Sequence, residues 1–456
     1  MRRLIPLWLV VTLARMATAS ADEPKIAYQA FRLANGLQVY VIEDHKAPLV
    51  YEVLWFKVGS KDEVANRTGF AHLFEHLMFK GSTHLPDGLM DRLLEAAGGY
   101  SNAFTSSDMT VYQNVASSNF LETMLWIEAD RLAGLTDTLD KPKLDNQRDV
   151  VLNERRQSYE NRPYGQSELL VQANLWPKDH GYHWPTIGEA ADLRAAALPD
   201  VTAFFRTYYV PNNATMVIAG DVKPGDARRL VEKYFAWIPK ASEPARPRYK
   251  TPAPLTHEIV VSSTDVVAVP RVYLAWRGPV AFSAGEPSLA LAAAVLGGGK
   301  TSELYKRLVY DKQVAQDVRA RFRAESIGGS FQIVATAKPG VDPQQLIAEI
   351  TDEIARLATV GPSPSELDEA KRLRESAFLY GIESTLARAI QLAQYDAVAH
   401  DPAYLSADLA RYHAVTASQV KDAVAKYLTP KARVVLTISP ARKPQDTPQG
   451  TPKETP

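Results

Sequence analysis

Gly69-Phe70-Ala71-His72-Leu73-Phe74-Glu75-His76-Leu77-Met78-Phe79-Lys80-Gly81 is the stretch on which the reading of the chain turns. Phe70, Leu73, Phe74, Leu77 and Met78 recur at helical spacing, so the segment is predicted to be an amphipathic helix with one buried face. Gly81 and Pro86 end it. His72 and His76 stand at i and i+4 and therefore share one helix face. Glu75, at i+3 from His72, is adjacent to that face.

The order H-x-x-E-H is the inverted zincin pattern. A zinc ion held by both imidazoles needs a third protein donor and keeps one position for water. It lowers the pKa of that water toward ~7. Glu75 is then placed to take the proton and pass it to a leaving amine. Glu154, in Val150-Val151-Leu152-Asn153-Glu154-Arg155-Arg156 on a predicted helix, is the best candidate for the third donor. Spacing alone leaves it level with an ordinary surface carboxylate.

Working outward, Leu37–Ile42 and Val50–Phe56 read as strands, and so does Ala103–Val115. Met90–Ala97, Phe120–Leu135 and Lys143–Tyr159 read as helices. Ala214–Ala219 is a buried strand. Five prolines between 239 and 254 mark an extended linker over 239–255. After it the order repeats: strand Val272–Trp276, helix Pro287–Leu296, a glycine turn, strand Phe331–Thr336, helix Gln344–Thr359. Arg433–Ile438 then echoes Ala214–Ala219, each following Tyr and Pro. A repeat of ~200 residues is a duplicated domain, since solenoid periods are ~20–50 residues. The expected divisions are 22–238 for the metal-bearing domain and 256–440 for the related domain without the motif.

Arg2, Arg3, the apolar run Leu4–Leu13 and Ala19-Ser20-Ala21 read as an exported chain's signal peptide over 1–21. The run is too short to span a bilayer. The periplasm of a bacterium is the expected compartment, with no membrane span after cleavage. Residues 441–456, rich in Pro and Lys, are expected to be a disordered tail.

The 456 residues carry 52 Lys+Arg against 52 Asp+Glu, so no basic excess points to nucleic acid. Hydrophobic residues make up 46%, enough for sizeable cores. The absence of cysteine excludes thiol catalysis, disulfides and Cys-based metal sites, leaving His, Asp and Glu as ligands. Gly297-Gly298-Gly299-Lys300-Thr301 misses the phosphate-loop spacing at Ala294. His180 and His183 form a lone HxxH read as structural.

Beyond these motifs, the chain resembles the pitrilysin and mitochondrial processing peptidase family, in particular its small bacterial members. The resemblance runs over most of 30–440. It includes Gly69–Gly81, Ser101-Asn102-Ala103-Phe104-Thr105 with Thr110 and Tyr112, Arg162-Pro163-Tyr164-Gly165, Pro185-Thr186-Ile187-Gly188, and Tyr208–Asn213. It implies one zinc per chain on His72, His76 and Glu154, with Glu75 as the general base. It implies an α+β fold of two related domains, each an antiparallel sheet with helices on one face, and a clamshell formed with another chain around a chamber. Ser101, Asn102, Ala103 and Phe104 are the implied edge strand to which a substrate peptide adds by backbone hydrogen bonds. Asn102 is expected to orient the scissile peptide.

Two departures from the family pattern stand out. Gln147 replaces a second Glu seven residues before Glu154, on the same helix face, as an outer partner of the metal site. Val309 and Gln316 occupy the positions where complete enzymes carry an Arg and a Tyr that bind substrate backbone and the oxyanion. Tyr305, Arg307 and Tyr310 are out of register. The resemblance therefore implies a zinc endopeptidase for short or unfolded peptides that draws an Arg/Tyr pair from a homologous partner chain. The alternatives are a homodimer, or a non-catalytic assembly or peptide-binding subunit.

Overall fold

The computed structural model describes residues 24–247, 249, 252 and 255–441. The expected signal peptide over 1–21 and all but the first residue of the expected tail lie outside the described residues. The strands form two sheets. The first has the order β1 (Gln29–Arg32), β2 (Gln38–Glu43), β6 (Ala214–Gly220), β3 (Leu49–Phe56), β5 (Thr110–Ser117), β4 (Tyr100–Thr105). The second has the order β7 (Ile259–Asp265), β11 (Val434–Pro440), β8 (Arg271–Gly278), β10 (Gly328–Ala337), β9 (Ala315–Glu325).

The duplication predicted from sequence is present as topology. In both sheets the last strand of the half lies between a parallel and an antiparallel neighbour: β6 between β2 and β3, β11 between β7 and β8. The sheets are thus mainly antiparallel with one parallel pair each. A parallel pair requires a long crossover, and the helices of each half supply it. Both sheets end in a hairpin, β4–β5 and β9–β10, whose outer strand has one free edge.

Ala103–Val115 is not the single strand expected from its alternation. It spans β4 and β5, with Ser106–Met109 turning between them. The Ser106 amide donates to the Met109 carbonyl (2.8 Å), and Ser106 Oγ accepts from the Asp108 amide (3.1 Å). Ser and Asp favour such turns because their side chains bond the local backbone.

On the first sheet, α1 (Phe70–Leu77), α2 (Leu89–Ala96), α3 (Leu121–Thr138) and α4 (Lys141–Arg155) pack on one face. Phe70, Leu73, Phe74 and Leu77 of α1 are buried against Leu54, Phe56, Tyr112 and Met216 of the strands. Each such side chain contributes roughly 1.5–3 kcal/mol by leaving water. The opposite face is covered by the helix Thr385–Gln394 from the second half, through Ala389, Leu392 and Ala393 against Tyr40, Val53, Trp55 and Val217. The exchange is reciprocal. The first half's α5 (Ser167–Leu175) lays Val171 and Leu175 on Tyr273, Ala275, Val334 and Leu436 of the second sheet. Helices of its own half therefore cover one face of each sheet, and a helix from the other half packs on the second face.

Two polar clusters reinforce this crossing. Asp396 accepts from Tyr40 Oη (2.8 Å) and Thr215 Oγ1 (2.6 Å) and pairs with Lys57 (3.2 Å). Asp108 in the β4–β5 turn accepts from the Ser326 amide (2.8 Å) and hydroxyl (2.6 Å) in the β9–β10 turn. Part of the expected linker is also held down. Arg246 binds Asp62 Oδ1 (2.8 Å), and Tyr249 Oη donates to the Lys61 carbonyl (2.5 Å).

Candidate metal and active site

Helix α1 begins at Gly69, whose φ of +85° only glycine adopts without strain. The buried Glu63 carboxylate sits over this end and accepts from the Gly69 (2.9 Å) and Ala71 (2.8 Å) amides. It satisfies donors that a helix start leaves unpaired. Burial pushes the Glu63 carboxyl above its ordinary range, and these amides pull against that shift. No local helix signal pointed to Glu63, because it stands several residues before the cap.

Gly69 also meets Gly188, itself at φ +82°. A Cβ on Gly188 would lie 2.4 Å from Gly69 Cα, so these loops close at a distance that excludes any side chain. Arg155, the residue after Glu154 on α4, donates from Nε to the Gly188 carbonyl (3.1 Å). The helix carrying both histidines and the helix carrying Glu154 are thus tied through one glycine contact.

Across that tie, His72, His76 and Glu154 converge, with one donor atom from each within 4.8 Å of the others. His72 Nε2 and His76 Nε2 are 3.3 Å apart, and Glu154 Oε2 is 3.6 Å and 3.5 Å from them. A tetrahedral zinc with ligand bonds of about 2.0–2.2 Å separates its donors by about 3.3–3.5 Å. The three residues therefore fit such an ion in donor chemistry and in spacing. Burial pushes the His72 imidazole down to about 4. Contact with His76 holds the Glu154 carboxyl below the usual range. Both shifts favour the forms that ligate a metal at neutral pH. The Glu154 side chain is 42% exposed, so the cluster is open on one side.

Glu75 projects beside the cluster, and burial pushes its carboxyl up. Its Oε2 accepts from Thr105 Oγ1 at 2.5 Å. Thr105 ends β4, so the Glu75 carboxylate is joined directly to the edge strand. The sequence motif contained Thr105 but gave it no role. Along β4, Ser101, Ala103 and Thr105 share one face by strand alternation, while Asn102 and Phe104 share the other. Ala103 packs with the core containing α1, and Phe104 packs with the core on the opposite face. Asn102 Oδ1 accepts from the Ala103 amide (2.9 Å). The backbone edge of the segment that faces away from β5 is unpaired by another strand, and its Ala103 amide is capped by the Asn102 side chain.

Gln147 is buried on α4, but its Nε2 donates to Asn146 Oδ1 (2.7 Å) and makes no hydrogen bond to the three donors. Val309 packs partly against the second core, and Gln316 is exposed at the start of β9. Arg307 is engaged by Glu349 at 2.7 Å. His180 is buried and stacked 4.6 Å from Trp176, and His183 Nδ1 lies 2.9 Å from the Trp176 carbonyl. Among the described residues, His72, His76 and Glu154 form the one cluster able to hold a metal.

An α+β fold of two related halves thus carries an H-x-x-E-H helix, the signature of inverted zincins, with a distant Glu brought beside it. The chain belongs to peptidase family M16. Residues 38–180 match the family model described as insulinase (peptidase family M16), and residues 196–374 match the peptidase M16 inactive domain. The second match lies wholly C-terminal to His72, His76 and Glu154. The chain is 30% identical over 383 residues to the zinc protease PqqE of Helicobacter pylori, covering 83% of this chain and 84% of that one. It is 25% identical to a probable mitochondrial-processing peptidase subunit beta of Arabidopsis thaliana, over 92% of this chain and 79% of the other. The crystal structure of a protease from Helicobacter pylori superposes with a TM-score of 0.84 at 27% identity, covering 91% of this chain and all of that one. No helix among the described residues is long and apolar enough to cross a membrane.

Proposed function

We propose that this chain is an exported zinc endopeptidase that cleaves extended peptides, with its active site completed by a homologous partner chain. The observation that carries the reading is the convergence of His72, His76 and Glu154 at tetrahedral spacing beside Glu75. A zinc ion held by these three would act as a Lewis acid toward water and the scissile carbonyl. The chain's own residues do the rest. The free edge of β4 pairs with the backbone of the substrate, which fixes the peptide in an extended form. Glu75 takes a proton from the attacking water and returns it to the leaving nitrogen. The Thr105 hydroxyl holds Glu75 in place for both transfers.

The partner requirement rests on Val309 and Gln316. Neither side chain carries a charge or a phenol, and the nearby Arg307 is committed to Glu349. A partner bearing the Arg/Tyr pair would supply the oxyanion donors. Export rests on the N-terminal residue pattern.

The test is peptide cleavage by the mature chain, alone and with candidate partner chains, with zinc measured in parallel. The expected result is one zinc per chain, weak cleavage alone, and strong cleavage with an Arg/Tyr-bearing partner. Glu75→Gln should keep its zinc and lose cleavage. Full activity alone would overturn the partner requirement. No zinc and no cleavage under any pairing would make the chain a non-catalytic subunit.

A further inference from the structure

β9 is one of the two edge strands of the second sheet, and its composition is unusual for a strand. Arg319, Arg321 and Arg323 alternate along it, so they stand on one face about 6.7 Å apart. That face does not point into the helix-packed core, where Val318 and Phe322 lie. It lines two adjoining cavities of about 180 and 360 Å³ that share Tyr159, Glu168, Arg321 and Gln332. Tyr159 lies in the π-helical turn Arg156–Glu160 that continues α4 directly after Glu154 and Arg155. Ser107, in the turn of the β4–β5 hairpin, lines the first cavity as well. The groove therefore starts at the two elements that carry the metal donor and the edge strand.

Its charge is one-sided. Arg162 and Arg271 join the three arginines of β9 on the walls, against the carboxylates of Glu168 and Glu325 alone. Arg321 is held by Glu168 (2.7 Å) and Gln332 (2.8 Å). Arg319 and Arg323 are exposed and donate no hydrogen bond to another group among the described residues. Charged side chains on an edge strand also guard against strand pairing. A guard has no need of one sign at three successive outward positions along a walled groove.

We infer that the β9 groove binds carboxylate side chains of a peptide, read at alternate positions by Arg319, Arg321 and Arg323. An extended peptide has the same two-residue repeat as the strand, so acidic residues at every second position match the arginine spacing. Arg supplies paired donors suited to carboxylates. The inference deepens the peptidase reading and rests on it for the class of ligand: peptides with an acidic flank beside the cleaved segment.

The experiment uses C-terminally amidated peptides that share one cleavable segment and differ in a flank of alternating Glu, Gln or Lys. Binding to the zinc-loaded Glu75→Gln chain is read by fluorescence anisotropy, and cleavage is read with the active protein. The Glu flank should bind about tenfold tighter than the Gln flank at low salt, an advantage that shrinks as salt screens it. Arg319→Gln with Arg323→Gln, which leaves only the Glu168-paired Arg321, should remove most of that advantage and leave the Gln-flanked peptide unchanged. Charge reversal to Glu at both positions should transfer the preference to the Lys flank. Equal binding of the three flanks, or a preference that survives both pairs of substitutions, would overturn the inference. Because binding is read without cleavage, the two readings fail separately. Cleavage with no flank preference sinks only the groove, and arginine-dependent binding with no cleavage sinks only the peptidase.

Discussion

Thr105 Oγ1 donates to Glu75 Oε2 at 2.5 Å, so the last residue of the edge strand holds the carboxylate that stands beside the cluster of His72, His76 and Glu154. The strand that would receive the peptide and the group that would move the proton are thereby one rigid unit. Thr105→Val keeps the shape and removes the donor. A hydrogen bond to a charged group is worth about 1.5–3 kcal/mol. Even the lower value predicts a fall of about tenfold in kcat. Zinc content and melting temperature should stay near wild type. An unchanged kcat would show that Glu75 is positioned by something else.

Gly188 supports a second prediction. A methyl group there would meet the Gly69 backbone at 2.4 Å, in a conformation that L side chains rarely adopt. Gly188→Ala should separate α1 from α4 and so pull Glu154 away from the histidines. The expected cost is roughly 2–4 kcal/mol of stability, together with weaker zinc binding. Gly98, at φ +69° with open space around it, is the control. Gly98→Ala should cost only about 1 kcal/mol and leave zinc in place. Equal zinc affinity in the two variants would separate the glycine contact from the metal site.

Glu325 gives the pH prediction. Burial, reinforced by Asp108, pushes its carboxyl up to about 7, while Arg323, Ser107 and Lys61 pull the other way. The folded chain therefore holds this proton more tightly than the unfolded chain. Stability falls as pH rises from about 4.5 to about 7, and the penalty is complete above that. Glu325→Gln should remove the penalty. The variant should match wild type below about pH 4.5 and exceed it by roughly 1–3 kcal/mol at pH 8. Denaturation curves at both pH values check this, and a constant difference between them would contradict it.

The parts of the site that lie within one helical turn are legible in the sequence. His72, Glu75 and His76 share a helix whose geometry is set by its own backbone hydrogen bonds, so their spacing determines their placement. The amphipathic pattern of Phe70, Leu73, Phe74 and Leu77 also determines which face is buried, because apolar area leaves water whatever it packs against. The repeated order of strands and helices, with the paired closing strands at 214–220 and 434–440, makes the duplication readable.

Tertiary structure decided what depends on pieces far apart in the chain. Glu154 had no more local signal than any helical carboxylate, and it reaches the histidines because Gly69 and Gly188 let two loops touch. Thr105 became a partner of Glu75 only when Ser106–Met109 folded Ala103–Val115 into a hairpin. β9 carried no apolar run to mark it as a strand, and its arginines share a groove because the sheet holds Arg319, Arg321 and Arg323 to a two-residue repeat. The exchange of α5 and Thr385–Gln394 between halves was invisible for the same reason. A hydrophobic stripe states that a surface must be buried, and only the packed chain determines which surface covers it.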